Sequence, residues 1–158
     1  MKILVMSDSH GNTENMLRAV ERTAPSIIIH LGDCVRDTEV LEREYPAIPL
    51  YRVRGNCDID FVTPESGLEE VDGVRIFFAH GHRHGVKMGM DSFCNSAYFS
   101  GARLGLYGHT HIPRWNQIGS MEILNPGSIG DRRRPTYATV ETNHGVFSCH
   151  IYDLEDEK

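Results

Sequence analysis

Short apolar runs alternate with amphipathic stretches along the first third of the chain. Lys2 to Ser7 holds a short, dense apolar run, the pattern of a strand buried on both faces. From Asn12 to Thr23 the apolar residues Met16, Leu17, Ala19 and Val20 have the spacing of an amphipathic helix, which Pro25 closes. Ser26 to Leu31 predicts a second strand. Thr38 to Tyr45 predicts a second helix ending before Pro46, and Ile48 to Val53 a third strand. This βαβαβ order implies a parallel sheet with right-handed crossovers.

Hairpins dominate the rest. Gly67 to Val71 and Val74 to Ala79 flank Asp72-Gly73, a two-residue turn signal. Met88 to Phe99 reads as a helix and Leu104 to Tyr107 as a short strand. Trp115 to Ile118 and Met121 to Leu124 flank Gly119-Ser120. Thr136 to Thr142 and Val146 to Tyr152 flank Asn143-His144-Gly145. Helices early and hairpins late predict an α/β sandwich of two packed sheets covered by helices.

Five of these strands end alike. The first runs into Asp8-Ser9-His10, the second into Gly32-Asp33 and the third into Gly55-Asn56. The strand ending at Ala79 delivers His80-Gly81-His82, and that ending at Tyr107 delivers Gly108-His109-Thr110-His111. Ligands of open α/β sheets bind beyond the carboxyl ends of strands, so these polar groups should share one rim. Asp8 and His10 are two residues apart, as are His109 and His111. In extended backbone each pair would face one target, with Ser9 and Thr110 pointing elsewhere. Carboxylates brought together repel, and divalent cations relieve that repulsion. An oxygen-and-imidazole set without thiolate suits manganese, iron, cobalt, nickel or zinc, and seven donors are enough for two ions.

Bulk properties narrow the partners. The 158 residues fit one domain, spanning 1–158, and no apolar run approaches a membrane span. The N-terminus lacks a signal-peptide core, which makes the cytoplasm the expected location. Cys34, Cys57, Cys94 and Cys149 form no C-x-x-C pair and read as free thiols. A net charge of −6 disfavours a nucleic-acid polymer as partner. The acidic end, Asp153 to Glu157, is expected to be solvated and frayed.

Taken in order, Asp8-x-His10, Gly32-Asp33, Gly55-Asn56, His80-Gly81-His82 and Gly108-His109-x-His111 resemble the motif series of calcineurin-like metallophosphoesterases. Short length and Asn125-Pro126-Gly127-Ser128 resemble the small YfcE-like branch, to which the retromer subunit is related. The resemblance covers about residues 1–130 and implies a four-layer α/β/β/α sandwich of two mixed sheets flanked by helices. It implies two divalent ions, manganese first. Asp8, His10, Asp33 and His111 would hold one, and Asp33, Asn56, His80 and His109 the other, with Asp33 bridging. It further implies in-line attack of a metal-held hydroxide on a small phosphate diester, with homodimers or tetramers among the relatives. Many members carry His after the Gly-Asn motif; here that position is Cys57, a weak donor. His82 or a metal-bound water is expected to take over, favouring good leaving groups. Cys57 and Arg132 are assigned to substrate contact, although Arg132-Arg133-Arg134 also suits a solvated loop.

Blander readings stand beside these. His30 is a core histidine or a support for the ligands. His84, His144 and His150 are structural or surface groups. Tyr98, Phe99 and Trp115 are expected in the core or an interface, and Asn125 and Ser128 are expected to order the arginine loop. The competing functions are a phosphomonoesterase and a protein-binding scaffold. The complete ligand set favours an enzyme.

Overall fold

The computed structural model describes residues 1–156. Two five-stranded mixed sheets pack face to face. The first has the order β10-β9-β1-β2-β3, the second β4-β5-β6-β8-β7. In the first, β1 (Lys2–Met6), β2 (Ile27–His30) and β3 (Leu50–Arg52) run parallel, linked through α1 (Thr13–Thr23) and α2 (Glu39–Glu44). The hairpin of β9 (Thr136–Asn143) and β10 (Val146–Asp153) adds antiparallel to β1, register Ile3↔Val140. In the second, β4 (Ser66–Val71) pairs antiparallel with β5 (Val74–Ala79). Beyond β5 lie β6 (Leu104–Leu106) and β8 (Met121–Asn125), both parallel to it in sense, and β7 (Arg114–Ile118) closes the edge antiparallel to β8. The α3 helix (Asp91–Phe99) covers this sheet.

Strand periodicity explains the layers. Along β1, Ile3 and Val5 point into the apolar seam between the sheets, where they meet Ile76, Phe78, Leu104 and Leu106. Leu4 and Met6 point the other way, onto Met16, Ala19 and Val20 of α1 and Leu41 of α2. Phe93 and Ala97 of α3 pack on the outer face of β5 through Phe77 and Ala79. The result is helix, sheet, sheet, helix. Asp72-Gly73 turns with both φ positive, 50° and 81°, the geometry of a two-residue hairpin that matches strand twist.

Four expectations need correction. The helix over Met88 to Phe99 starts only at Asp91, because Gly85 and Gly89 lie within a chain of tight turns just before it. The segment over Thr38 to Tyr45 divides, with a 3-10 turn over Val35–Thr38 preceding α2. Of the two readings of Tyr98, Phe99 and Trp115, the core one fails, since they are 66%, 82% and 49% exposed, which leaves the interface. Finally, the acidic end is not frayed where it is described. Asp153 belongs to β10 and pairs with Arg134. Leu154 is buried against α1, its carbonyl accepts from Arg22, and Glu155 pairs with Arg18. An apolar residue inside an acidic run anchors the strand end; Glu157 lies outside the described residues.

Candidate metal centre

Parallel β1, β2 and β3, with β5 and β6 of the second sheet, bring their carboxyl ends to one rim. Asp8 follows β1, Asp33 β2, Asn56 β3, His80 β5 and His109 β6. The two sheets are stitched there. His109 N–H donates to Asp8 Oδ2 (3.2 Å) across the join, while Asp8 N–H to Gly32 O (3.0 Å) and Gly108 N–H to His80 O (3.0 Å) tie neighbouring strand ends within each sheet.

Asp8, His10, Asp33 and His111 each turn one ligand atom inward, and these atoms lie within 4.8 Å of one another. His10 Nε2 is 3.8 Å from Asp8 Oδ1 and 3.8 Å from Asp33 Oδ2, and His111 Nε2 is 3.1 Å from Asp8 Oδ1. On the other side of Asp33, His80 Nδ1–H donates to Leu31 O (2.8 Å), leaving a lone pair on Nε2. That buried lone pair faces Asn56 Oδ1 at 3.1 Å and Asp33 Oδ1 at 3.4 Å. Three acceptors facing one another call for a cation between them, so the donor set fits a metal ion on this side too. The His109 ring stands 5.0 Å from that of His80, and His82 5.4 Å from His80. His109 and His111 therefore diverge to opposite sides of the cluster.

The extended-backbone argument for these pairs fails. Asp8, His10, Asp33, His109 and His111 all have left-handed φ, between 44° and 68°. Five of the nine non-glycine residues with positive φ among the described residues are thus proposed ligands, and each such position costs on the order of 1–3 kcal/mol. The chain turns at every donor instead of running straight past the site. Gly55 and Gly108 serve by close approach: a Cβ on Gly55 would come within 2.7 Å of Asp33 N, and one on Gly108 within 2.9 Å of Asp8 Oδ2.

Burial opposes ionisation of Asp8, yet hydrogen bonds from His111 and from the Ser7 hydroxyl outweigh it and hold its carboxyl at about 2. It is an anion at neutral pH, as a ligand must be. Local desolvation, then the Asp33 carboxylate, pushes the Cys57 thiol up to about 11. Cys57 is exposed, and its protonated sulfur is no thiolate nucleophile. Cys34 Sγ lies 3.9 Å from His10 Nδ1 and forms no part of the four-residue cluster. Arg132 is exposed on the loop after Gly130, where Asp131 Oδ1 accepts from the backbone N–H of Arg133 and Arg134.

One supporting residue, Asp58, escaped the sequence reading. Asp58 accepts from the backbone N–H of Asp33, Val35 and Gly55 at 2.8–2.9 Å, tying two ligand loops to one carboxylate. Ser128 does order the arginine loop, its carbonyl accepting from Asp131 N–H (3.4 Å) and Thr136 N–H (3.0 Å), and with Asn125 it also orders the ligand loops. Asn125 Nδ2 donates to Gly108 O and Thr110 Oγ1 (3.0 Å each), and Ser128 Oγ to Asp8 O (2.8 Å). Only the Asn-Pro-Gly-Ser motif hinted at this. His30 is fully buried. Gly32 N–H donates to its Nδ1 (3.2 Å), so its Nε2–H faces Ser9 Oγ (3.1 Å). The Ser9 hydroxyl in turn donates to Asp37 Oδ2 (2.8 Å).

Burial pulls the His30 imidazole from 6.5 to about 4. Between those values the unfolded chain holds the extra proton and the folded chain does not. Stability is therefore full above 6.5 and falls as pH drops towards 4, by about 3 kcal/mol in all. Urea unfolding of metal-free protein across this range should show that fall in the wild type and lose it in His30→Gln. Identical pH dependence in both would refute a neutral core imidazole.

The chain matches the calcineurin-like phosphoesterase superfamily domain over residues 1–145, and it belongs to that superfamily. The probable metallophosphoesterase YsnB of Bacillus subtilis is 31% identical over 159 residues, 97% of this chain and 91% of its own. Phosphodiesterase YfcE of Escherichia coli is 28% identical over 153 residues, covering 82% and 79%. Vps29 of Chaetomium thermophilum shares the fold with a TM-score of 0.78 over 97% of this chain and 90% of its own, at 17% identity. No helix among the described residues is long and apolar enough to cross a membrane.

Proposed function

We propose that this phosphoesterase-family chain, folded as one domain over 1–158, is a metal-dependent phosphodiesterase acting on small phosphate diesters in the cytoplasm. The observation that carries this reading is the His80 Nε2 lone pair held against Asn56 Oδ1 and Asp33 Oδ1, beside the four-donor cluster of Asp8, His10, Asp33 and His111. Two divalent ions, manganese first and nickel, iron, cobalt or zinc as alternatives, would supply Lewis-acid charge and an ionised water at neutral pH. Asp33 would serve both. Asn56 would complete the second set and meet the phosphoryl group.

The protein's own groups do the rest. Asp8 stays ionised, and both Asp8 and Asp33 are fixed by backbone donors, so the site needs little reorganisation when negative charge develops on the phosphoryl oxygens. Burial, helped by the Arg83 charge, pulls His82 below the usual imidazole range. Near neutral pH it carries one N–H, which can hydrogen-bond the departing oxygen but transfers no proton readily. Cys57 and Arg132 would touch the outer face of the substrate. This weak acid assistance favours aryl diesters over alkyl ones and diesters over monoesters.

YfcE is named a phosphodiesterase, which supports the same preference here. A scaffold would have no need of seven complete donors, and the net charge of −6 disfavours nucleic-acid polymers. A panel of phosphate mono- and diesters assayed with manganese, nickel, zinc and a chelator tests the reading. Metal-dependent diester hydrolysis, abolished by the chelator, is expected, with His82→Ala steepening the dependence on leaving-group pKa. Hydrolysis of monoesters alone, or none with any metal, would overturn it.

A further inference from the structure

Beside His109 and His111 runs a groove of about 480 Å³, within the range of small-ligand sites. Thr110, between the two histidines, forms part of its wall, and its Oγ1 is held by Asn125. The groove is therefore walled by the same segment that carries His109 and His111. Its lining is apolar at Tyr107, Met90, Met88 and Ile112, yet Met88 is 94% and Ile112 64% exposed. Large apolar side chains held in water at the edge of a reactive site mark a surface for a ligand, and methionine adapts to varied shapes.

Charge sets this groove apart. Lys87 and Arg114 line it, and neither has a carboxylate at ion-pairing distance among the described residues. Several other cations are paired: Arg54 and Arg83 with Glu65, and Arg134 with Asp153. The Lys87 charge also reaches His109 and His111. In a chain of net charge −6, two uncompensated cations over an apolar floor complement a ligand that is apolar and anionic.

We propose that this groove seats the second organic substituent of the diester, and that it selects substituents joining an apolar or aromatic body to a further negative charge. This rests on the phosphodiesterase reading and adds a substrate class to it.

The test uses three diesters with one leaving group: methyl, phenyl and 4-carboxyphenyl 4-nitrophenyl phosphate, on manganese-loaded full-length protein. The expected KM falls from methyl to phenyl by about tenfold, the worth of a buried apolar ring. It falls by about a further fivefold for 4-carboxyphenyl, a partly exposed charge pair. The double variant K87A/R114A should erase the carboxyphenyl preference and keep the phenyl one, whereas Ile112→Asn should shrink the phenyl preference. All three positions are exposed, so an unshifted thermal midpoint certifies folding.

Calorimetric binding of the product 4-carboxyphenyl phosphate, weakened in K87A/R114A, reads the groove without turnover. Weakened product binding with no hydrolysis of any diester supports the groove while removing the phosphodiesterase reading. Hydrolysis with equal KM for all three diesters, or ratios and product binding unmoved by the variants, overturns the groove alone.

Discussion

Replacing Asp33 by asparagine is expected to cut diester hydrolysis by at least about 10³-fold, the equivalent of the several kcal/mol that metal charge contributes in the transition state. Asp33 stands between the two halves of the centre: its Oδ1 is 3.4 Å from His80 Nε2 and its Oδ2 3.8 Å from His10 Nε2. Asparagine keeps one oxygen and loses the charge. The same change removes the repulsion between Asp8 and Asp33, so the metal-free variant should be no less stable than the metal-free wild type. Thermal scans with and without manganese separate the two effects. A wild-type midpoint that rises with metal and a variant midpoint that does not is the expected pair. A variant that still gains stability and turns over at wild-type rate would remove Asp33 from the centre.

Gly130→Ala should be among the most destabilising single-methyl additions in the chain. A Cβ there would overlap the carbonyl oxygen of Ser9, with Ser9 C at 2.6 Å and Asp8 O at 2.8 Å. These are backbone atoms of a ligand loop pinned from the other side: Asp8 N–H donates to Gly32 O, and Ile129 N–H donates to Ser7 O at 3.0 Å. With no flexible end to yield, the cost belongs at the upper end of overpacking, about 3 kcal/mol. For a chain of this length that lowers the melting temperature by roughly 10 °C. Calorimetry checks it, and a shift below about 2 °C would show that the loop gives way freely.

Both predictions concern loops, and loops are where the sequence spoke least clearly. The apolar runs of β1, β2 and β5 marked these strands in advance, since dense Val, Ile and Phe have few other places to go. The donors were legible because each follows such a run. How they converge was not. Alternation along an extended chain assigned Asp8 with His10 and His109 with His111 to common targets, but every one of these residues has a left-handed φ. Nothing local in the sequence announces that conformation at Asp or His, because tertiary contacts impose it. The same holds for Asn125, Ser128 and Asp58, whose partners lie 17 or more residues away in most cases. His30 was ambiguous for a related reason: one imidazole in an apolar strand shows its value only once Ser9, Gly32 and Asp37 surround it.

The proposed donors divide unevenly between the halves of the sandwich. Asp8, His10, Asp33 and Asn56 follow strands of the first sheet, while His80, His109 and His111 follow strands of the second. Any cation gripped by both groups works as a clasp across the join, so its affinity and the cohesion of the two halves are a single thermodynamic quantity. A hundredfold excess over the dissociation constant would tighten that join by about 2.7 kcal/mol. In a metal-starved cell this molecule would be a slacker body as well as an idle one.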